Sequence, residues 1–172
     1  MASVKGFKEC RDKFNEIVVK HIENELIHVC DMLVSDAKKS RGFMSFTGNT
    51  ATSYSCGLYI KGELVYVAEA GDGMRKPIRR KVRKNELARL KKPYEGGERL
   101  VRGRVEVDGM YGQDSSMVFL SRYKAPKKGF CIVMTTGTEY SEYIEQVFNA
   151  NVLTDTFNRS RKILFDNIKP ID

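Results

Sequence analysis

The sequence has no long apolar run. Its longest are a few residues, and the opening Met1-Ala-Ser-Val-Lys-Gly lacks the apolar core of a signal peptide. No segment is therefore expected to span a membrane or direct secretion, and a cytosol-like compartment of synthesis is expected. Four cysteines (Cys10, Cys30, Cys56 and Cys131) are widely spaced with no C-x-x-C pair, a pattern of neither a zinc knuckle nor a disulfide framework. They read as small buried hydrophobes. Histidine is scarcer still. His21 and His28, the only two, share a helical face with Glu25, but the spacing is not H-E-x-x-H and no further helix-borne ligand is identifiable, so ordinary helix residues are the stronger reading. A Ser-His-Asp or Cys-His site would need one of them to leave that face. Gly71-Asp-Gly73 lacks the third glycine of a phosphate loop, Gly96-Gly97 is not followed by Lys-Ser or Lys-Thr, and Asp108-Gly109 with Asp114 lacks a calcium-loop ligand run. With no convergent set of polar groups, neither an enzyme nor a cofactor is expected.

What is present is enough to fold. The 172 residues fit a single α+β domain, long enough to bury about 70% of its unfolded surface. The hydrophobic share of 41% is too high for wholesale disorder. The organising element is a first helix from about Val4 to Lys39. Phe7, Cys10, Phe14, Ile17, Val18, Ile22, Leu26, Val29 and Leu33 recur near a 3.6-residue period, with charges between them. At roughly 50 Å such a helix lies across a sheet, pairs with a neighbouring subunit, or does both along its length.

Turn formers Gly42, Gly48 and Asn49 follow. Tyr54, Cys56, Leu58 and Ile60 alternate as a strand, with Gly57 a candidate bulge, and Lys61-Gly62 connects tightly to a second strand at 64–67. Further strands are expected at 100–107, where Val101, Val105 and Val107 share a face, at 116–122 and at 130–134, giving an antiparallel sheet of about five strands. The stretch 81–92 could be a helix. Tyr140, Tyr143, Ile144 and Val147 fall at helical spacing in a short amphipathic helix, and a final helix at about 152–167 is expected to bury Leu153, Phe157, Leu164 and Ile168.

The charge is concentrated. Between Arg75 and Arg104 there are thirteen Lys and Arg against Glu86, Glu95 and Glu98, while the remainder carries seventeen bases and nineteen acids. The segment 71–97 therefore reads as a basic excursion inserted between strands. Arg75, Lys76, Arg79, Arg80, Lys81, Arg83 and Lys84 suit phosphates through counterion release. Tyr94 is the lone aromatic there, so stacking and base readout are not expected. Charge alone leaves three readings open: nucleic-acid phosphates, an acidic protein surface, and a solvated loop. One form of the first is a small cytoplasmic protein that binds nucleic acid without sequence preference through this arm.

Three stretches in order resemble a known group. Thr47-Gly48-Asn49 with Ser53 four residues on lies between the long helix and the hairpin. Thr138-Glu-Tyr-Ser-Glu-Tyr-Ile-Glu145 follows a strand, and Asn151-Val-Leu-Thr-Asp-Thr-Phe157 opens the last helix. This is similar to the tail-completion, or head–tail joining, proteins of tailed bacteriophages, with Ser141 for the usual alanine, Ile144 for the usual valine, and the basic insertion as a departure. The resemblance implies a virion neck protein, assembled in the host bacterial cytoplasm. Its expected form is a homo-oligomeric, dodecameric ring between portal and tail around the DNA channel. Its implied partners are further copies of itself, the portal, other neck or tail proteins, and channel DNA through non-specific phosphate contacts. The seven basic residues would make the charged contact, with Tyr140, Tyr143 and Ile144 at the subunit interface.

Overall fold

A computed structural model describes residues 4–43, 49–71, 87–90, 99–102, 112–138, 141–147 and 149–171. The architecture is α+β: a long N-terminal helix on a three-stranded antiparallel sheet, with shorter helices around it. Helix α1 (Val4–Ser40) ends on Lys38 and Lys39, cations placed where the helix dipole is negative. Its 37 residues span about 55 Å. Only the C-terminal half is packed: Leu26, Val29, Cys30, Leu33, Val34 and Ala37, at helical spacing, are buried against the sheet.

A short helix α2 (Asn49–Thr52) leads into β1 (Tyr54–Ile60), which turns at Lys61 and Gly62, both with positive φ, into β2 (Glu63–Glu69). The two-residue connection matches the twist of an antiparallel pair. The expected bulge is displaced, because the register shifts between Leu58 and Tyr59 while Gly57 pairs regularly with Val67. The missing side chain at Gly57 instead makes room for Leu120, Tyr59 and Leu64. Strand β1 is central and almost wholly buried.

The expected five-stranded sheet is smaller and differently built. Residues 99–102 do not extend it: β3 (Leu87–Leu90) and β4 (Arg99–Arg102) pair with each other in a separate two-stranded ribbon. Leu87–Leu90 is thus strand where a helix over 81–92 was an option; the rest of that range and 103–107 lie outside the described residues. The stretch 116–122 is not a strand but most of helix α3 (Gly112–Arg122). Its buried positions are Gly112, Ser116 and Leu120, a four-residue repeat made of small or polar residues as well as one leucine. The run Met117 to Leu120 reads as a strand because the helix's inner face is not mainly apolar. Strand β5 (Phe130–Thr136) then pairs antiparallel with β1 along its full length, giving the order β2-β1-β5. Helices α4 (Ser141–Val147) and α5 (Thr154–Asn167) close the chain, α5 lying along α1.

Two burial expectations are corrected. Cys30 and Cys56 are buried but Cys10 is exposed and Cys131 half-buried. Phe157 and Ile168 of the last helix face outward, while Leu153 and Leu164 pack on the core.

Candidate interaction surfaces

The three motif stretches meet in two joints. In the first, the Gly112 N–H donates to Asn49 Oδ1 (2.8 Å), Ser116 Oγ donates to the Ser53 carbonyl (2.6 Å), and the Ser53 and Thr136 hydroxyls bond each other (2.6 Å). Ser141 completes the cluster by bonding Thr138. All but Thr136 are buried, so each hydroxyl finds its partner within the cluster. Gly112 and Gly137 permit the approach: a Cβ on Gly137 would lie 1.9 Å from the Gly112 carbonyl, and one on Gly112 would lie 2.6 Å from Ser53 Cβ. This joint holds α3 on the sheet.

Gln113 Nε2 donates to Glu69 Oε2 (2.8 Å), and a Cβ on Gly71 would lie 2.7 Å from that same nitrogen. Gly71, the last described residue after β2, therefore lies against the Gln113 side chain in the first turn of α3, and residues 72–111 separate the two in sequence. This stretch of the sequence includes the β3–β4 ribbon. It carries thirteen of the chain's thirty Lys and Arg but six of its twenty-two acids. Arg75, Lys76, Arg79, Arg80, Lys81, Arg83 and Lys84 lie outside the described residues, so their contacts are not placed.

The second joint ties α5 to α1. Thr156 Oγ1 and Arg159 Nη2 both donate to Asp36 Oδ2, each at 2.7 Å. Burial pushes the Asp36 carboxyl up, but the bonds from Arg159 and Thr156 outweigh it and hold it below the usual carboxylate range. Asn151 donates to the Ser40 carbonyl (2.9 Å) and accepts from the Asp155 N–H (2.9 Å). Glu145 accepts from the N–H groups of Leu153 (3.3 Å) and Thr154 (2.9 Å), capping α5 from α4. Burial raises the Glu145 carboxyl and these bonds, with one from the Thr154 hydroxyl, bring it below its ordinary value. The Thr138-to-Glu145 and Asn151-to-Phe157 stretches thus act as joints of the fold. Ile144 packs on the core, Tyr143 is exposed on α4, and Tyr140 lies outside the described residues.

His21 and Glu25 hold the segment after α5: the His21 Nε2 and the Lys169 carbonyl are 3.0 Å apart, and Glu25 accepts from the Lys169 N–H (3.2 Å), while His28 is exposed. Among the described residues no group of three or more His, Cys, Asp or Glu is arranged to hold a metal, and no helix is long and apolar enough to cross a membrane.

Two apolar surfaces are left uncovered among the described residues. The first is the N-terminal half of α1, where Phe7, Phe14 and Ile17 are 74%, 61% and 58% exposed. On the helical wheel they form a second apolar face, turned away from the stripe that is buried from Leu26 onward. The second is the outer edge of β5. A groove of about 690 Å³ is lined there by Cys131, Ile132, Val133 and Met134, with Arg161 and Leu164 of α5 opposite. Sequence patterning shows the α1 stripe; it could not show β5 to be an edge, because strand order is a tertiary property. No protein-family model, curated protein or solved structure matches this chain.

Proposed function

We propose that this chain is a structural virion protein of a tailed phage, forming a homo-oligomeric ring in the neck between portal and tail around the DNA channel. The observation that carries the structural side of this reading is the uncovered half of α1. While the face from Leu26 to Ala37 is core, the N-terminal half of the same helix presents a second apolar face through Phe7, Phe14 and Ile17 with nothing described upon it, and exposed apolar side chains grouped on one face are a surface that a partner stabilises by covering. A helix that joins a body at one end and offers a further apolar face beyond it is suited to packing on the next subunit, a heterologous contact that closes into a ring. The order of the three motif stretches supplies the rest of the reading, and their residues form the joints that orient α1, α5 and the arm on one body.

The arm fits the same assembly. A thirteen-cation segment repeated around a ring would concentrate positive charge at one level of a channel, where phosphate contact without base readout tolerates any passing sequence.

The genetic test is deletion of the coding sequence from its source phage. Loss of this chain should leave DNA-filled heads and separate finished tails, restored to joined particles by the gene in trans. Normal yields of joined, infectious particles without it would refute the neck assignment.

A further inference from the structure

Helix α5 runs antiparallel to α1: Thr156 and Arg159 meet Asp36, while Lys169, just past the end of α5, meets Glu25 and His21. The first turns of α1 therefore extend past the end of α5, and every residue from Gly6 to Ile17 is exposed. An unsupported helix of that length is marginal in water. Within it Phe7, Cys10, Phe14 and Ile17 are spaced three, four and three apart, which is the spacing of a seam that packs on another helix. The seam is about 15 Å long.

A seam of matching length lies on α5. Phe157, Arg161, Leu164 and Ile168 are spaced four, three and four apart over about 17 Å. Phe157 and Ile168 are exposed, and Phe157, Arg161 and Leu164 line the groove of about 690 Å³ beside β5. We infer that residues 7–17 of one copy of the chain lie along this α5 seam and groove in the next copy. The same chain cannot supply them. Its own Val29 and Leu33 line the groove, and Ile17 stands twelve residues, about 18 Å, from Val29 on one unbroken helix.

Charge selects against the other way of joining two copies, α1 seam on α1 seam. Arg11 and Lys13 flank this seam, while Glu9, Asp12 and Glu16 lie on the far side of the helix, so two such seams would meet cation to cation. The positions flanking the α5 seam are Asn158, Ser160, Phe165 and Asn167, all uncharged. A second hollow shares Met134, Leu153 and Thr154 with the groove and carries Glu142 and Glu145, carboxylates that suit a helix with cationic flanks. The one charge within the α5 seam is Arg161, whose guanidinium lies 5.7 Å from the Phe165 ring centre. Because the contact joins two different surfaces, it can repeat around a ring.

This contact deepens the ring reading and rests on it for its setting. Sedimentation velocity of the full chain over a concentration series tests it with Phe14→Lys, Phe157→Lys and their equimolar mixture. Wild type should self-associate, and each variant alone should associate at least about tenfold more weakly. In the mixture, the intact α5 seam of the Phe14→Lys chain receives the intact α1 of the Phe157→Lys chain, and the altered surfaces stop growth there. One-to-one dimers should form and nothing larger. Both residues are exposed, so unchanged melting temperatures confirm that the variants fold. If Phe157→Lys does not fold, Arg161→Glu decides, because a carboxylate facing Arg11 and Lys13 should tighten association. A wild type monomeric throughout, a Phe157→Lys chain that associates normally, a mixture that stays monomeric, or an Arg161→Glu chain no tighter than wild type would each overturn the contact. Presence in particles with normal association of Phe157→Lys would remove this contact and keep the neck; one-to-one dimers from a chain absent from particles would do the reverse.

Discussion

Tyr54 is wholly buried at the start of β1, and its hydroxyl has no hydrogen-bond partner among the described residues. Burial pushes its phenol well above the ordinary tyrosine range. A partnerless buried donor costs free energy, so Tyr54→Phe should leave stability unchanged or raise it by up to about 1 kcal/mol. Thermal unfolding followed by circular dichroism reads this; a clear loss would mean that the hydroxyl has a partner. Asp36 is the opposite case, accepting from both Thr156 and Arg159. Asp36→Asn should lower the melting temperature by roughly 2–4 °C at neutral pH. Because the folded carboxyl is held below its unfolded value, its contribution is present above about pH 4 and is lost as pH falls through the folded value. Glu145 follows the same sign. The melting temperatures of wild type and Asp36→Asn should therefore converge in acid, and a difference that stays constant with pH would contradict the role given to the ionised carboxylate.

Among elements, the joint between α3 and β5 is the least tolerant. A methyl at Gly137 would fall onto the Gly112 carbonyl, backbone against backbone, so neither side can give way by changing a rotamer. Gly137→Ala should cost more than about 3 kcal/mol or prevent folding. Gly129→Ala, at positive φ but in open space, should cost only about 1 kcal/mol. Equal melting temperatures for the two variants would argue against the close approach. The same joint explains what could be read in advance. Helix α1, the 54–67 hairpin, β5 and the last two helices follow from apolar period and turn residues, whose signals are local. Helix α3 does not, because its inward face is Gly112, Ser116 and Leu120 and only contact with Ser53 and Gly137 makes that face a core. For the interaction residues, the sequence shows the charge of the arm and the α1 stripe. It does not show that Gly71 meets the Gln113 side chain, nor that Phe157 turns outward, since both depend on how α5 and α3 seat on the sheet.

At the scale of the whole molecule, one stretch of sequence, 75–104, holds the excess positive charge, and the N-terminal half of α1 leaves apolar side chains exposed. If the helix packs on a neighbour, Phe14→Lys should abolish self-association without changing the melting temperature by more than a degree or two, since Phe14 touches none of the core. If the arm acts through repetition around a ring, the free chain should bind duplex DNA weakly, with affinity falling steeply in salt. Tight binding by the free monomer, lost on deleting residues 75–92, would favour a nucleic-acid-binding protein over a neck component. The measurement that reaches the central claim most directly is the copy number of this chain in purified particles of its source, by quantitative mass spectrometry against the portal subunit. The ring account predicts a fixed number close to that of the portal. Absence from the particles, or a number that varies between preparations, would contradict it.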